Sequence, residues 1–224
     1  MALRRIKPWK EYESYFVHVT REPVVCEASV AYLFHPDSPD EIRRKLGDNI
    51  RIIMFIRNPV DMAYSLWGHM RRLEREPLSF QAAIDAIPSR RDGVSAAQDW
   101  VGNYMYVDRA RFVPQINRYR LAFGADNVFI RVFEQMVQAP QQHFNELFEW
   151  LGMKPMAVSE FPRQNVAGKS RSRRLRRLLD GRSSAKRLLK QFTPAGPRAS
   201  VRRIIEQVNR KAAPLPPMSN SIRQ

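Results

Sequence analysis

The stretch from Ile50 to Ser65 constrains this chain more than any other. Residues 50 to 56 read Ile, Arg, Ile, Ile, Met, Phe, Ile, a nearly continuous apolar run that suits a strand buried on both faces. Arg57 then stands at the strand's carboxyl end. Asn58 is a good N-cap, Pro59 suits the first helical position and Asp61 complements the positive end of the helix dipole. In open parallel α/β sheets, ligands collect outside the carboxyl ends of strands, where helix N-termini offer backbone N–H groups to anions. Arg57 adds a permanently charged fork of donors there, and Ser65 a hydroxyl two turns along the helix. His69, four residues after Ser65 and eight after Asp61, falls on the same helix face. The plainer alternative makes Arg57 a solvated strand end, Ser65 a packing residue and His69 a residue of the wet face.

Around this unit the pattern predicts strands at Val24 to Cys26 and at Val128 to Phe133, with helical segments between, which argues for a parallel α/β sheet. A helix from about Gln141 carries Phe144, Leu147, Phe148 and Leu151 at core spacing, with Pro140 ahead of it and Gly152 behind. Another, across residues 111 to 124, turns Phe112, Ile116, Tyr119 and Phe123 inward and its arginines to solvent. Cys26 is the lone cysteine and reads as a small buried strand residue, so no internal disulfide is expected. Scattered His and one Cys give no metal-ligand spacing, and no metal is expected. The N-terminal residues lack the apolar core of a signal peptide, and nowhere do about eighteen apolar residues run together; a cytoplasmic protein is the expectation.

The motif around Arg57 is familiar. Arg57-Asn58-Pro59-Val60-Asp61-Met62-Ala63-Tyr64-Ser65 closely resembles the "RNPxxRAxSxY" signature of sulfotransferases that use 3′-phosphoadenosine 5′-phosphosulfate (PAPS). Met62 stands where that family usually has a second arginine, and Trp67 near the place of its final aromatic. Trp9, Tyr12 and Phe16 followed by "CEASVAYL" look like the family's aromatic helix and "GEASxxYL" stretch. The run "GNYMYVDRARFVPQINRYRLAFGADNVFIRVFEQM" is similar to its "GxYxxQLxRYxxxFGxExVxVxxyEDL" region, and residues 140 to 152 to the helix that follows. The resemblance covers roughly residues 9 to 180. It implies a three-layer fold like that of P-loop nucleotide-binding proteins around a central parallel sheet. Arg57 and Ser65 would bind the donor's 3′-phosphate. His69 matches a histidine near the acceptor in heparan-type relatives, which makes it the candidate catalytic residue. The implied reaction moves a sulfuryl group from PAPS to a hydroxyl or amine, with a carbohydrate as one acceptor class.

Two features complicate this. The family's "PKxGTT"-type loop, which cradles the phosphosulfate, is not found, nor is the heparan-type glutamate base, so the fold is expected to be incomplete at its N-terminus and the chain inactive and poorly stable alone. Charge is also uneven: from Arg163 to Lys211 sixteen Lys and Arg face two acids, so fourteen of the sixteen net positive charges lie there. That shift divides a sulfotransferase-like core, 1–162, from a basic helical segment, 163–224, whose Pro-rich tail beyond Pro214 is expected to be mobile. "GKS" at Gly168 to Ser170 imitates a phosphate-binding loop, but Arg163 replaces the required first glycine. "GKSRSR" is similar to a donor-contacting "GKSKGR" segment of heparan-type relatives, which makes Lys169 and Arg171 candidate donor ligands; a bacterial "PRSRxLxxLL" pattern or a solvated helix start fits equally well. Leucines around Gly181 suggest amphipathic basic helices. The alternative function is therefore a catalytically incomplete protein that binds polyanions or anionic membrane through 163–211. Nucleic acid fits less well, because stacking aromatics are scarce there.

Overall fold

A computed structural model describes residues 9–93, 101–158, 168–170, 210–212, 215–218 and 223. In chain order the elements are α1 (Trp9–Glu13), α2 (Ser38–Leu46), β1 (Ile52–Ile56), α3 (Pro59–Arg72), α4 (Phe80–Asp85), α5 (Ile87–Gly93), α6 (Tyr106–Ala110), α7 (Phe112–Phe123), β2 (Val128–Val132), α8 (Phe133–Gln138), α9 (Pro140–Trp150), β3 (Gly168–Ser170) and β4 (Arg210–Ala212).

β1 and β2 pair in parallel, with Ile52 opposite Val128 and Ile56 opposite Val132. Side chains alternate across such a pair. On one face Met54, Val128 and the half-buried Ile52, Ile56 and Ile130 pack with Ile116, Tyr119 and Phe123 of α7. On the other, Phe129 lies 5.1 Å from the Trp150 ring, and Phe55, Phe129, Phe144 and Leu147 line one small hollow. Helices thus cover the parallel sheet from both sides, giving the expected three α/β layers. The cover is uneven, because Phe55 remains 46 % exposed where burial on both faces was expected. Among the described residues no other strand pairs with the free edge of β1.

The expected strand at Val24 to Cys26 does not form. These residues form no regular element and pair with no strand, Val25 is 49 % exposed and Cys26 is exposed too. Apolar character cannot make a strand without a neighbouring ladder to satisfy its backbone. The segment that follows is held by side chains instead. Arg109 donates to the Val30 carbonyl at 2.7 Å, Arg118 to those of Leu33 and Phe34, and the Tyr119 hydroxyl to that of Tyr32 at 2.8 Å. Burial pushes the Tyr119 hydroxyl up to about 12. Arg118 is therefore a clamp rather than part of a solvated face.

The second core joins α3 to α4, α5 and α6 through Met70, Phe80, Ala83, Ile87, Met105 and Tyr106. Beneath it lies a buried polar knot. The Arg90 guanidinium grips Glu76 with two bonds of 2.8 and 3.1 Å, the Tyr106 hydroxyl donates to the same carboxylate at 2.7 Å, and the Leu78 amide at 3.1 Å. Burial alone would raise the Glu76 carboxyl, but these donors outweigh it and hold the group below the usual glutamate range.

The chain's last described residues return to α3. Leu215 fills the space over Gly68, where a Cβ would collide with it, and Met218 packs against the second core. The Tyr64 hydroxyl donates to the Pro216 carbonyl at 3.1 Å. A tail expected to be mobile lies across a helix at residues 215–218, because a glycine leaves a notch there and prolines lower the entropy of laying an extended chain into it. Arg171 and the leucine-rich basic helices expected around Gly181 lie outside the described residues.

Candidate functional site

Arg57 follows β1 directly, and Glu134 lies in the first turn of α8, which begins at Phe133 straight after β2. Parallel pairing brings these two strand ends side by side. The Arg57 Nε lies 3.9 Å from the Glu134 carboxylate, too far for a hydrogen bond, and is buried with no hydrogen-bond partner. The second Glu134 oxygen is also buried and unbonded, while the first accepts from the Asn58 amide at 3.0 Å. That amide, its own backbone amide and the more distant Arg57 charge outweigh partial burial and lower the Glu134 carboxyl. Glu134 was not singled out from the sequence; its proximity comes from a parallel partner 76 residues away.

α3 begins as the sequence predicts. The Asn58 side chain accepts from the amides of Val60 at 3.0 Å and Asp61 at 3.2 Å, and Pro59 is the first helical residue. Such a cap contributes about 1 kcal/mol. It also corrects one expectation. The Asn58 amide is taken by Glu134, those of Val60 and Asp61 by the cap, and that of Met62 by the Asn58 carbonyl. Free backbone N–H groups for an anion are therefore not what this helix end supplies; side chains and the helix dipole are.

Ser65 is half-buried on α3, and His69 is exposed one turn further on. Six residues of rise put Ser65 about 9 Å along the axis from Pro59. Trp67 belongs to the packing, stacked 5.2 Å from Tyr64 and donating from its indole to the Leu78 carbonyl at 3.1 Å. Lys169 lies in β3, which pairs antiparallel with β4 and touches α3; its register partner is Lys211. A strand stands here where a helix start was an alternative. Arg57, Ser65 and His69 thus share one strand–turn–helix unit, with the Lys169 backbone brought to the same helix from a hundred residues away. Among the described residues no cluster of His, Cys, Asp or Glu could hold a metal. No helix there is long and apolar enough to cross a membrane. An open groove of about 620 Å³ runs beside β2 and α9, but neither it nor the hollow under Phe55 is lined by Arg57, Ser65 or His69.

Comparison with known proteins identifies the fold. The family model of the sulfotransferase domain matches residues 37–171. A crystal structure of a sulfotransferase from Alicyclobacillus acidocaldarius is similar at a TM-score of 0.62 and 29% identity, covering 73% of this chain and 65% of that one. This chain therefore spans just under two thirds of that relative's length. A search of curated protein sequences returned no match. The parallel sheet between helical layers is the P-loop-like α/β fold of those enzymes. With well over half of its residues inside the family model, the chain belongs to the sulfotransferase domain family.

Proposed function

We propose that this chain takes part in sulfuryl transfer from PAPS to a hydroxyl or amine, and that Arg57 and Ser65 hold the donor's 3′-phosphate. The observation that carries this reading is the buried, unbonded Nε of Arg57 at the end of β1, beside the capped start of α3. A desolvated guanidinium donor is costly unless a ligand completes it, and a phosphate oxygen is the acceptor whose charge and geometry suit it best. PAPS would supply an activated sulfuryl group with a good leaving phosphate. The residues described here would anchor the far end of that molecule. Arg57 fixes register and charge, Ser65 donates a hydroxyl, and the positive end of α3 favours the anion. His69, exposed one turn beyond Ser65, would meet an acceptor and take its proton. Lys169 and Arg171 are proposed as further donor ligands, Lys169 because β3 touches α3.

The test compares adenosine 3′,5′-bisphosphate with adenosine 5′-monophosphate by calorimetry. The bisphosphate should bind more tightly, and Arg57→Ala should remove about 1.5 to 3 kcal/mol of that preference, the range for a hydrogen bond to a charged group. Equal affinity of the wild type for the two nucleotides overturns the assignment.

One observation favours a second role for the basic segment. Residues 163–211 carry fourteen of the chain's sixteen net positive charges, and β3 within them touches α3. Like charges this dense along a chain repel one another unless an anion joins them. A sulfated or carboxylated glycan acceptor, or an anionic surface, would supply it. Heparin retention that falls steeply with salt is the expected sign.

A further inference from the structure

The cap that closes α3 leaves a problem for the proposed site. Asp61 sits in the first turn of that helix, where its carboxylate offsets the dipole a phosphate would exploit. The structure answers with a residue from the far end of the chain: Arg223 donates to the Asp61 carboxylate at 2.7 Å, across 162 residues of sequence. Three contacts guide the chain along the same helix. Leu215 lies over Gly68, the Pro216 carbonyl accepts from Tyr64, and Met218 packs on the core beneath. Gly68, Tyr64 and Asp61 succeed one another at helical spacing along one face, so Leu215, Pro216 and Arg223 meet α3 in the order opposite to its own direction. Ser65 is the immediate neighbour of Tyr64 on that helix.

We propose that this C-terminal strap is part of the donor site, and that Arg223 neutralises Asp61 so that the 3′-phosphate held by Arg57 and Ser65 meets a helix start without a bare carboxylate. Arg223 is a positioning residue in this scheme; it acts through Asp61. The inference rests on the proposed phosphate site.

It is tested on the full chain by titrating adenosine 3′,5′-bisphosphate and adenosine 5′-monophosphate into wild type, Arg223→Gln, Arg223→Lys, Asp61→Asn, the Arg223→Gln/Asp61→Asn double variant and Arg57→Ala at low salt. The expected result is a 3- to 10-fold loss of bisphosphate affinity in Arg223→Gln with 5′-monophosphate affinity within twofold, retention in Arg223→Lys, and recovery in the double variant. Recovery is the decisive reading, because a merely structural role for Arg223 gives no reason for removing its partner to restore ligand affinity. If Arg57→Ala loses the bisphosphate preference while Arg223→Gln keeps wild-type affinity, or if the double variant does not recover, the strap's role is overturned and the phosphate site stands. Should wild type bind the two nucleotides equally, the site and the strap's role fall together.

Discussion

Two arginine–glutamate pairs lie at opposite ends of α3, and they are built for different purposes. Glu76 is shut inside the second core; its side chain is wholly buried, and the fork of Arg90, the Tyr106 hydroxyl and the Leu78 amide occupy it. Arg57 and Glu134 face each other at 3.9 Å on an open shelf, each with a buried polar atom left unbonded. A buried pair that meets all its partners is a fastener, since removing one member strands the other's charge. A loose, half-exposed pair contributes little to folding. The unmet Arg57 donor is what an anionic ligand can use.

The largest expected effect breaks the fastener. Glu76→Ala should cost about 3 to 5 kcal/mol of unfolding free energy, because it leaves Arg90 charged and unpaired in the core. Urea titration reads this directly, and a loss below about 1 kcal/mol would put the knot in the same class as a surface pair. Tyr106→Phe removes one donor and should cost about 1.5 to 3 kcal/mol, the range for a hydrogen bond to a charged group.

Acid sharpens the comparison next. The folded Glu76 carboxyl titrates below its unfolded value, so its contribution is complete above about pH 4.3 and is lost as pH falls through the folded value. The stability gap between wild type and Glu76→Gln should therefore narrow as pH drops below about 4. A gap that is flat across this range would show that Glu76 carries no charge-dependent stabilisation. The smallest effect is expected at the shelf. Arg57→Ala should change unfolding free energy by less than about 1 kcal/mol, while reducing bisphosphate affinity far more. Comparable losses in both measurements would mean that Arg57 is a structural residue after all.

The strand–turn–helix unit was legible in the sequence because its determinants are local. An apolar run, Asn58 as a cap, Pro59 at the first helical position and the 3.6-residue period place β1 and α3 within two residues of expectation, and the stripes of α7 and α9 follow the same logic. So does the stop of α9, where Gly152 takes φ of +73° and its amide donates to the Glu149 carbonyl. The Val24–Cys26 strand failed for the complementary reason, since a strand exists only with a partner and no local signal reports one. Glu76 lies just past Glu74, whose φ of +59° is rare for a residue with a side chain, and nothing in the composition around it announces a buried acid.

What the sequence determined by itself was the β1–α3 unit with its capped helix start, the strand β2, the stripes of α7 and α9, and the presence of Arg57 at a strand's carboxyl end and Ser65 on the helix that follows. Tertiary structure alone decided that Glu134 comes beside Arg57, that the cap consumes the helix's first amides, that β3 and the strap of Leu215 to Met218 return to α3, and that Arg223 reaches Asp61. The division has one physical cause. Propensity, capping and periodicity act over a few residues and can be read along the chain, whereas charge pairing and packing act through space, across separations of 76 and 162 residues that only the folded backbone brings within reach.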